Sequence, residues 1–85
     1  MLVLKLVTFL FLRHLAMYRF ASQSVKGKIV LDVGCGEGYG TFYLSRYCQK
    51  IIGIDISKHT IGYAKNDYRN VNLEFLIADA TNLDY

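Results

Sequence analysis

Three short apolar runs stand out between residues 28 and 79. The runs KIVLDV, KIIGID and NLEFLIAD begin at Lys28, Lys50 and Asn72. Runs of this length are typical of strands that are covered on both faces in a parallel sheet. Residues 41–48 and 57–67, which separate the runs, carry apolar residues at helical spacing, so we expect a helix in each interval.

Residues 8–22 also have helical spacing, with Phe11, Leu15 and Tyr18 on one face. Ser57 is a residue type that favours the N-cap of a helix, and right-handed crossovers would place the three strands parallel to one another. The pattern therefore predicts an α/β fold, with an N-terminal helix followed by βαβαβ and three parallel strands.

The first apolar run of the chain, LVLKLVTFLFL at residues 2–12, is interrupted only by Lys5 and Thr8. It is shorter than the roughly 20 residues of a membrane-spanning helix, and it lacks the basic region and the cleavage site of a secretory signal. We predict a buried or interfacial helix within an N-terminal helical segment over residues 1–27, which could also cover an edge of the sheet. Membrane contact is the alternative, with Lys5 extended toward the headgroups.

Charge and cysteine content narrow the class of protein. The net charge is +3, but the lysines and arginines are scattered and form no basic stripe, so we expect no nucleic-acid partner. Cys35 and Cys48 are too few for a zinc site, which takes about four ligands, and we expect no metal. Two free thiols suit a reducing compartment, so we expect a cytoplasmic protein. A chain of 85 residues makes one domain at most.

The first strand is followed by a glycine-rich stretch, VLDVGCGEGYG, with four glycines at alternate positions. Such glycines let a backbone approach a ligand closely. The dinucleotide fingerprint G-x-G-x-x-G does not fit, because Tyr39 or Thr41 replaces its third glycine in either register.

Each of the three predicted strands ends on or beside an aspartate, at Asp32, Asp55 and Asp79. Because ligands of doubly wound sheets lie beyond the carboxyl ends of the strands, these acids are candidate binding residues.

The stretch matches the pattern D-x-G-x-G-x-G and resembles the first motif of the class I S-adenosylmethionine-dependent methyltransferases. IGIDIS and LEFLIADATNL resemble the second and third strands of that family, and among its subfamilies the chain looks most like the small-molecule methyltransferases of the ubiquinone-biosynthesis type. The resemblance implies an incomplete Rossmann-like three-layer fold, with residues 28–85 as the cofactor-binding half. It also implies that S-adenosylmethionine is the cofactor.

The resemblance implies that residues of the glycine stretch bind the methionine part of the cofactor. Asp32 is expected near the ammonium group of the cofactor, directly or through water. Gly34, Cys35, Gly36 and Gly38 are expected to lie beneath its methionine part, with backbone amides close to the carboxylate and ribose.

The adenosyl part of the cofactor is assigned to the later strands. The resemblance implies that Asp55 accepts hydrogen bonds from both ribose hydroxyls and that Ile56 packs on one adenine face. Asp79 is expected to accept a hydrogen bond from the adenine amino group, and the amide of Ala80 to donate one to a ring nitrogen.

The family's sheet has seven strands in the order 3-2-1-4-5-7-6, and the sequence matches the first three. The catalytic residues and the small-molecule methyl acceptor are therefore unknown, and we expect a truncated N-terminal portion that is inactive alone. A stand-alone or partner-completed binding module without catalysis is the alternative, followed by an NAD-binding half-domain. With no fourth strand beside it, the first strand is expected to be an open edge that promotes self-association.

Overall fold

A computed structural model describes residues 2–6, 22–79 and 81 of the chain. Its sheet has four parallel strands in the spatial order β1-β2-β3-β4, which is also their order in the sequence. The strands are β1 (Leu2–Leu6), β2 (Ile29–Val33), β3 (Lys50–Asp55) and β4 (Leu73–Ile77). Helix α1 (Tyr39–Ser45) connects β2 to β3, and helix α2 (Lys58–Asp67) connects β3 to β4.

The βαβαβ order with three parallel strands is confirmed by β2, β3 and β4 and the two helices between them. Helix α2 begins after Ser57, whose side chain accepts a hydrogen bond from the backbone N–H of Thr60 at 3.2 Å. This is the N-cap that the sequence predicts. Helix α1 begins two residues earlier and ends three residues earlier than the interval 41–48.

The N-terminal run differs from its prediction. Leu2–Leu6 form a strand parallel to β2, with Leu2 opposite Ile29 and Leu6 opposite Val33. The predicted helix over residues 2–12 is therefore wrong for these five residues, because a short continuous apolar run has no periodicity that separates a helix from a buried strand. The edge of β2 that was expected to be open is paired with β1.

Most of the predicted helix at residues 8–22 lies outside the described residues, and within it only Ser22 is described, as helical. The division of the chain at residue 27 stays a prediction. In the part of the chain that the structure describes, no helix has both the length and the apolar character needed to cross a membrane.

Apolar side chains are buried on both faces of the central strands. On the face that carries α1 and α2, Val30 and Ile51 pack with Leu44, while Phe75 packs with Ile61 and Ala64. On the opposite face the buried residues are Leu31, Val33 and Ile54. Since successive side chains of a strand point to opposite faces, Asp32 shares the helix-bearing face with Val30.

The strand register aligns the carboxyl ends of β2, β3 and β4. Val33 lies opposite Ile54, and Asp55 lies opposite Ile77. The loop after β2, the end of β3 and the residues after β4 therefore meet at the carboxyl edge of the sheet, where ligands of such folds bind.

Candidate functional site

The loop between β2 and α1 has a backbone shape that requires glycine. Gly34, Gly36 and Gly38 have φ angles of +73°, +61° and +93°. Residues with a Cβ rarely adopt backbone conformations in this left-handed region of φ and ψ. The backbone conformation of the loop therefore explains three of the four alternating glycines, whereas Gly40 lies within α1.

Three successive amides of this loop are held by the end of β3. The N–H groups of Gly34 and Cys35 both donate to the carbonyl oxygen of Ile54, each at 2.9 Å. The N–H of Gly36 donates to Oδ2 of Asp55 at 3.0 Å. In this conformation these amides serve the protein's own structure, and what the loop offers a ligand is close approach of its backbone.

Gly38 faces the protein interior. A Cβ added there would lie 2.8 Å from Cζ of Phe75 and 2.9 Å from Cβ of Ala64, which is closer than real Cβ atoms come. Gly38 thus lies where the loop packs on β4 and α2, and its predicted place beneath the methionine part of the cofactor stays a prediction.

Gly53 is a residue that the sequence analysis missed. A Cβ at this position in β3 would lie 3.0 Å from atoms of Cys35, Thr41 and Phe75. Gly53 thus lets the loop and α1 pack closely on the sheet. A glycine inside an apolar strand is a signal of close approach that could have identified it.

Asp55 is half-buried at the end of β3. Its Oδ2 accepts from Gly36, and its Oδ1 accepts from the backbone N–H of Ser57 at 3.0 Å. A carboxylate has about four lone-pair sites, so both oxygens can accept further hydrogen bonds. The carboxylate is therefore oriented by the backbone and still able to receive a ligand's hydroxyl groups.

A cavity of about 210 Å³ lies beside Asp55 at the carboxyl edge of the sheet. Its walls are mainly apolar, and the lining residues are Val33, Gly34, Ile54, Asp55, Ile56, Ala78 and Asp79. The cavity joins four predicted site residues from three separate segments of the chain. Val33, Ile54 and Ala78 were not assigned from the sequence. The side chain of Ile56 is 72% exposed, so it offers an apolar surface at the rim.

Asp79 is exposed and takes part in a local turn. Its Oδ1 accepts from the backbone N–H of Thr81 at 2.9 Å and from the hydroxyl of Thr81 at 2.8 Å. These two bonds, the backbone one first, lower the pKa of the Asp79 carboxyl below its ordinary value of 3.8. The group is therefore an ionised acceptor at the cavity rim at neutral pH. Ala80 lies outside the described residues.

Asp32 does not line the cavity. Its side chain is 0% exposed, and its Oδ2 accepts a hydrogen bond from the hydroxyl of Thr41 at 2.8 Å. Thr41 belongs to the first turn of α1 and is also 0% exposed. Thr41 is not among the residues predicted for the site, and in the sequence it is only the residue that breaks the dinucleotide pattern.

The two thiols lie in the protein core. Cys35 and Cys48 are both buried thiols, and neither is part of a disulfide. Burial raises the pKa of the Cys48 thiol above its ordinary value. Within the described residues, no three His, Cys, Asp or Glu side chains are grouped so that they could hold a metal ion.

Comparison with known proteins relates this geometry to one family. A family model described as a methyltransferase domain matches residues 30–85. The chain is 36% identical over 67 residues to the fatty-acid O-methyltransferase of Mycolicibacterium smegmatis, a match that covers 76% of the chain and 24% of the relative. It is 40% identical over 62 residues to phosphoethanolamine N-methyltransferase 1 of Triticum aestivum, with coverages of 69% and 12%.

A solved structure extends the similarity to the fold. The crystal structure of the plantazolicin methyltransferase BpumL, in complex with a monoazolic desmethylPZN analog and SAH, superposes with a TM-score of 0.66 at 28% identity. The match covers 88% of this chain and 31% of that one. The chain spans about a quarter or less of the length of the curated relatives that it matches.

Proposed function

This chain belongs to the class I S-adenosylmethionine-dependent methyltransferases, and on that premise we propose that its glycine loop and the carboxyl ends of β3 and β4 bind the adenosyl part of the cofactor. S-Adenosylmethionine is the cofactor of this family. When bound, it supplies an electrophilic methyl group on a sulfonium centre. The residues of this chain bind and orient the molecule that carries it.

The carboxylate of Asp55 is the observation that carries the proposal. It is fixed by two backbone donors, borders the cavity together with Gly34 and Ile56, and retains acceptor capacity. A pair of neighbouring ribose hydroxyls is the donor set that fits such a carboxylate, because each hydroxyl can donate one hydrogen bond. Asp55 would hold the ribose.

The apolar walls suit an adenine ring. Ile56 would pack on one face of the base, and the ionised Asp79 would accept from its exocyclic amino group. The proposed contact of Ala80 with a ring nitrogen lies outside the described residues. At about 210 Å³ the cavity is smaller than the roughly 300–1,000 Å³ of most small-molecule sites. The described residues thus form part of the cofactor site, and further walls would complete it.

Methyl transfer is proposed to need residues beyond these 85. The matched region is a minor part of each relative, and the relatives' names include two different kinds of acceptor, a fatty acid and phosphoethanolamine. We propose a small-molecule acceptor without choosing its class. A stand-alone or partner-completed binding module without catalysis is the alternative. Methyl transfer on addition of a candidate C-terminal portion would support the first proposal, and cofactor binding without transfer would support the alternative.

We propose that the protein is located in a reducing compartment, namely the cytoplasm. Both cysteines are buried thiols outside any disulfide, a state that persists where thiols are kept reduced.

Calorimetric titration of the 85-residue chain with S-adenosylhomocysteine and with NAD tests the proposed function. We expect binding of S-adenosylhomocysteine and a loss of about ten- to a hundredfold in affinity for Asp55→Ala, the range of hydrogen bonds to a charged group. Asp67→Ala is the matched control, because Asp67 is an exposed acid at the end of α2, outside the cavity lining. Binding of NAD with no response to S-adenosylhomocysteine would overturn the proposal.

A further inference from the structure

The carboxylate of Asp55 borders the cavity and also holds the middle of the glycine loop. Its Oδ2 accepts a hydrogen bond from the N–H of Gly36 at 3.0 Å, across 19 positions of the sequence. The N–H groups of Gly34 and Cys35 donate instead to the carbonyl oxygen of Ile54. Of these three loop amides, Gly36 is thus the one bound by a side chain, and that side chain is the proposed ribose ligand.

The bond between Gly36 and Asp55 restricts the backbone of the loop. Gly36 is buried and has a φ angle of +61°. Glycine has wide backbone freedom, so the residue itself does not hold the loop in one shape. A buried N–H without an acceptor is costly, and loop conformations that keep the bond to Asp55 are therefore favoured.

The carboxylate of Asp55 is oriented from a second direction. Its Oδ1 accepts from the backbone N–H of Ser57 at 3.0 Å, so a rotation of the carboxylate weakens both bonds. Ribose hydroxyls that donate to its oxygens would stabilise the orientation that holds Gly36. Because coupling between two contacts is reciprocal, a loop in this shape would also favour the ribose contact.

We propose that Asp55 is also a positioning residue, whose hydrogen bond to Gly36 couples the ribose contact to the shape of the loop beneath the methionine part of the cofactor. The inference rests on the proposed function and on the predicted place of Gly36 in the site. It adds an indirect effect to the direct contact, since Asp55 then acts on a part of the ligand that it does not touch.

Two ligand analogues separate the indirect effect from the direct contact. 2′,3′-Dideoxy-S-adenosylhomocysteine lacks both ribose hydroxyls and keeps the amino-acid part, whereas 2′,3′-dideoxyadenosine lacks the hydroxyls and the amino-acid part. For Asp55→Ala we expect the affinity for the first analogue to fall by about two- to thirtyfold, the range for a residue that acts through a neighbour. We expect the affinity for the second to be unchanged. NMR titration measures both affinities.

The other outcomes of this titration contradict the inference. If Asp55 contacts only the ribose, Asp55→Ala binds both analogues as the wild type does, and the positioning role is overturned. Equal losses for the two analogues indicate a general loss of the folded site and overturn it as well. A wild-type chain that does not bind S-adenosylhomocysteine overturns the proposed function itself.

A backbone ester at Gly36 deletes the N–H donor and leaves the carboxylate of Asp55 in place. Cys35 precedes Gly36, so residues 1–34 can be ligated to a peptide that begins at Cys35 and carries glycolic acid in place of Gly36. We expect S-adenosylhomocysteine and its dideoxy analogue both to lose affinity, and unchanged affinities would overturn the positioning role. The ester also keeps the inference testable if Asp55→Ala does not fold.

Asp67→Ala is the matched control. Asp67 is an exposed acid at the end of α2, so its removal changes the net charge by the same amount and leaves the loop contacts in place. In the free chain we expect amide hydrogen exchange at Gly36 to be faster in Asp55→Ala and unchanged in Asp67→Ala. Unchanged exchange in Asp55→Ala would show that the carboxylate does not hold the loop, and it would overturn the inference.

Discussion

Gly38 and Gly62 are glycines with opposite surroundings. Gly38 has a positive φ and lies against Phe75 and Ala64, whereas Gly62 lies in α2 with no atom within 4 Å of where its Cβ would be. The first position excludes any side chain. The second has room for one and a helical backbone that favours it.

We therefore expect Gly38→Ala to lower the free energy of unfolding by about 2 kcal/mol or more, since it combines backbone strain with overpacking. Gly62→Ala should raise it by about 0.5–1 kcal/mol, because alanine is the better helix former. Urea unfolding followed by circular dichroism measures both. Equal effects at the two positions would contradict the loop packing described for Gly38.

Asp79 gives a prediction on pH. Its hydrogen bonds to Thr81 lower the pKa of the carboxyl in the folded chain, so the stabilisation is present at pH values above the ordinary pKa and is lost as the pH falls through the lower folded value. We expect an NMR titration of Asp79 to have its midpoint below 3.8. Thr81→Val should raise that midpoint only partway, because the backbone donor of Thr81, the larger cause, remains. An unchanged midpoint in the variant would exclude the hydroxyl as a cause.

Among the elements, β1 shows how a pattern can be ambiguous. The run at residues 2–6 is mainly apolar and short, so its pattern fits a helix or a strand. Whether it forms a strand depends on whether the sheet has an unpaired edge beside it. β2 needs a partner on each side, and β1 supplies one of them. The element was therefore decided by a tertiary partner, and local propensity alone could not identify it.

Disrupting β1 should expose the edge of β2. We expect the double substitution Val3→Pro and Leu4→Pro to promote concentration-dependent self-association, since two adjacent prolines remove at least one donor that faces β2 and an unpaired edge pairs with other chains. Threonine at the same two positions is the control, because it is β-branched and keeps both N–H groups. Sedimentation velocity over a range of concentrations measures the result. A proline variant that stays as monomeric as the threonine variant would show that β1 does not protect the edge.

For the whole molecule, the sequence predicted what local patterns encode. Apolar runs predict the three strands β2, β3 and β4. The helical spacing of apolar residues predicts the two helices between them, and the residue type of Ser57 predicts its N-cap. Asp55 was identified because it ends a strand, and the structure places it in the cavity with Gly34, Ile56 and Asp79. Asp32 and Gly38 are also predicted cofactor residues, and this stays a prediction. Their packing roles, against Thr41 for Asp32 and against Phe75 and Ala64 for Gly38, were not predicted. Contacts between residues distant in sequence determine such roles, and one sequence does not display them.

The hydrogen bonds between the loop and β3 make the shape of the loop depend on a later part of the chain. The amides of Gly34 and Cys35 bind the carbonyl of Ile54, and the amide of Gly36 binds a side chain 19 residues further along the chain. A nascent chain that has emerged only as far as α1 has the glycines but none of these acceptors. We therefore expect the loop to take the shape described here only when β3 is present and paired with β2, and a fragment that ends after α1 to lack that shape.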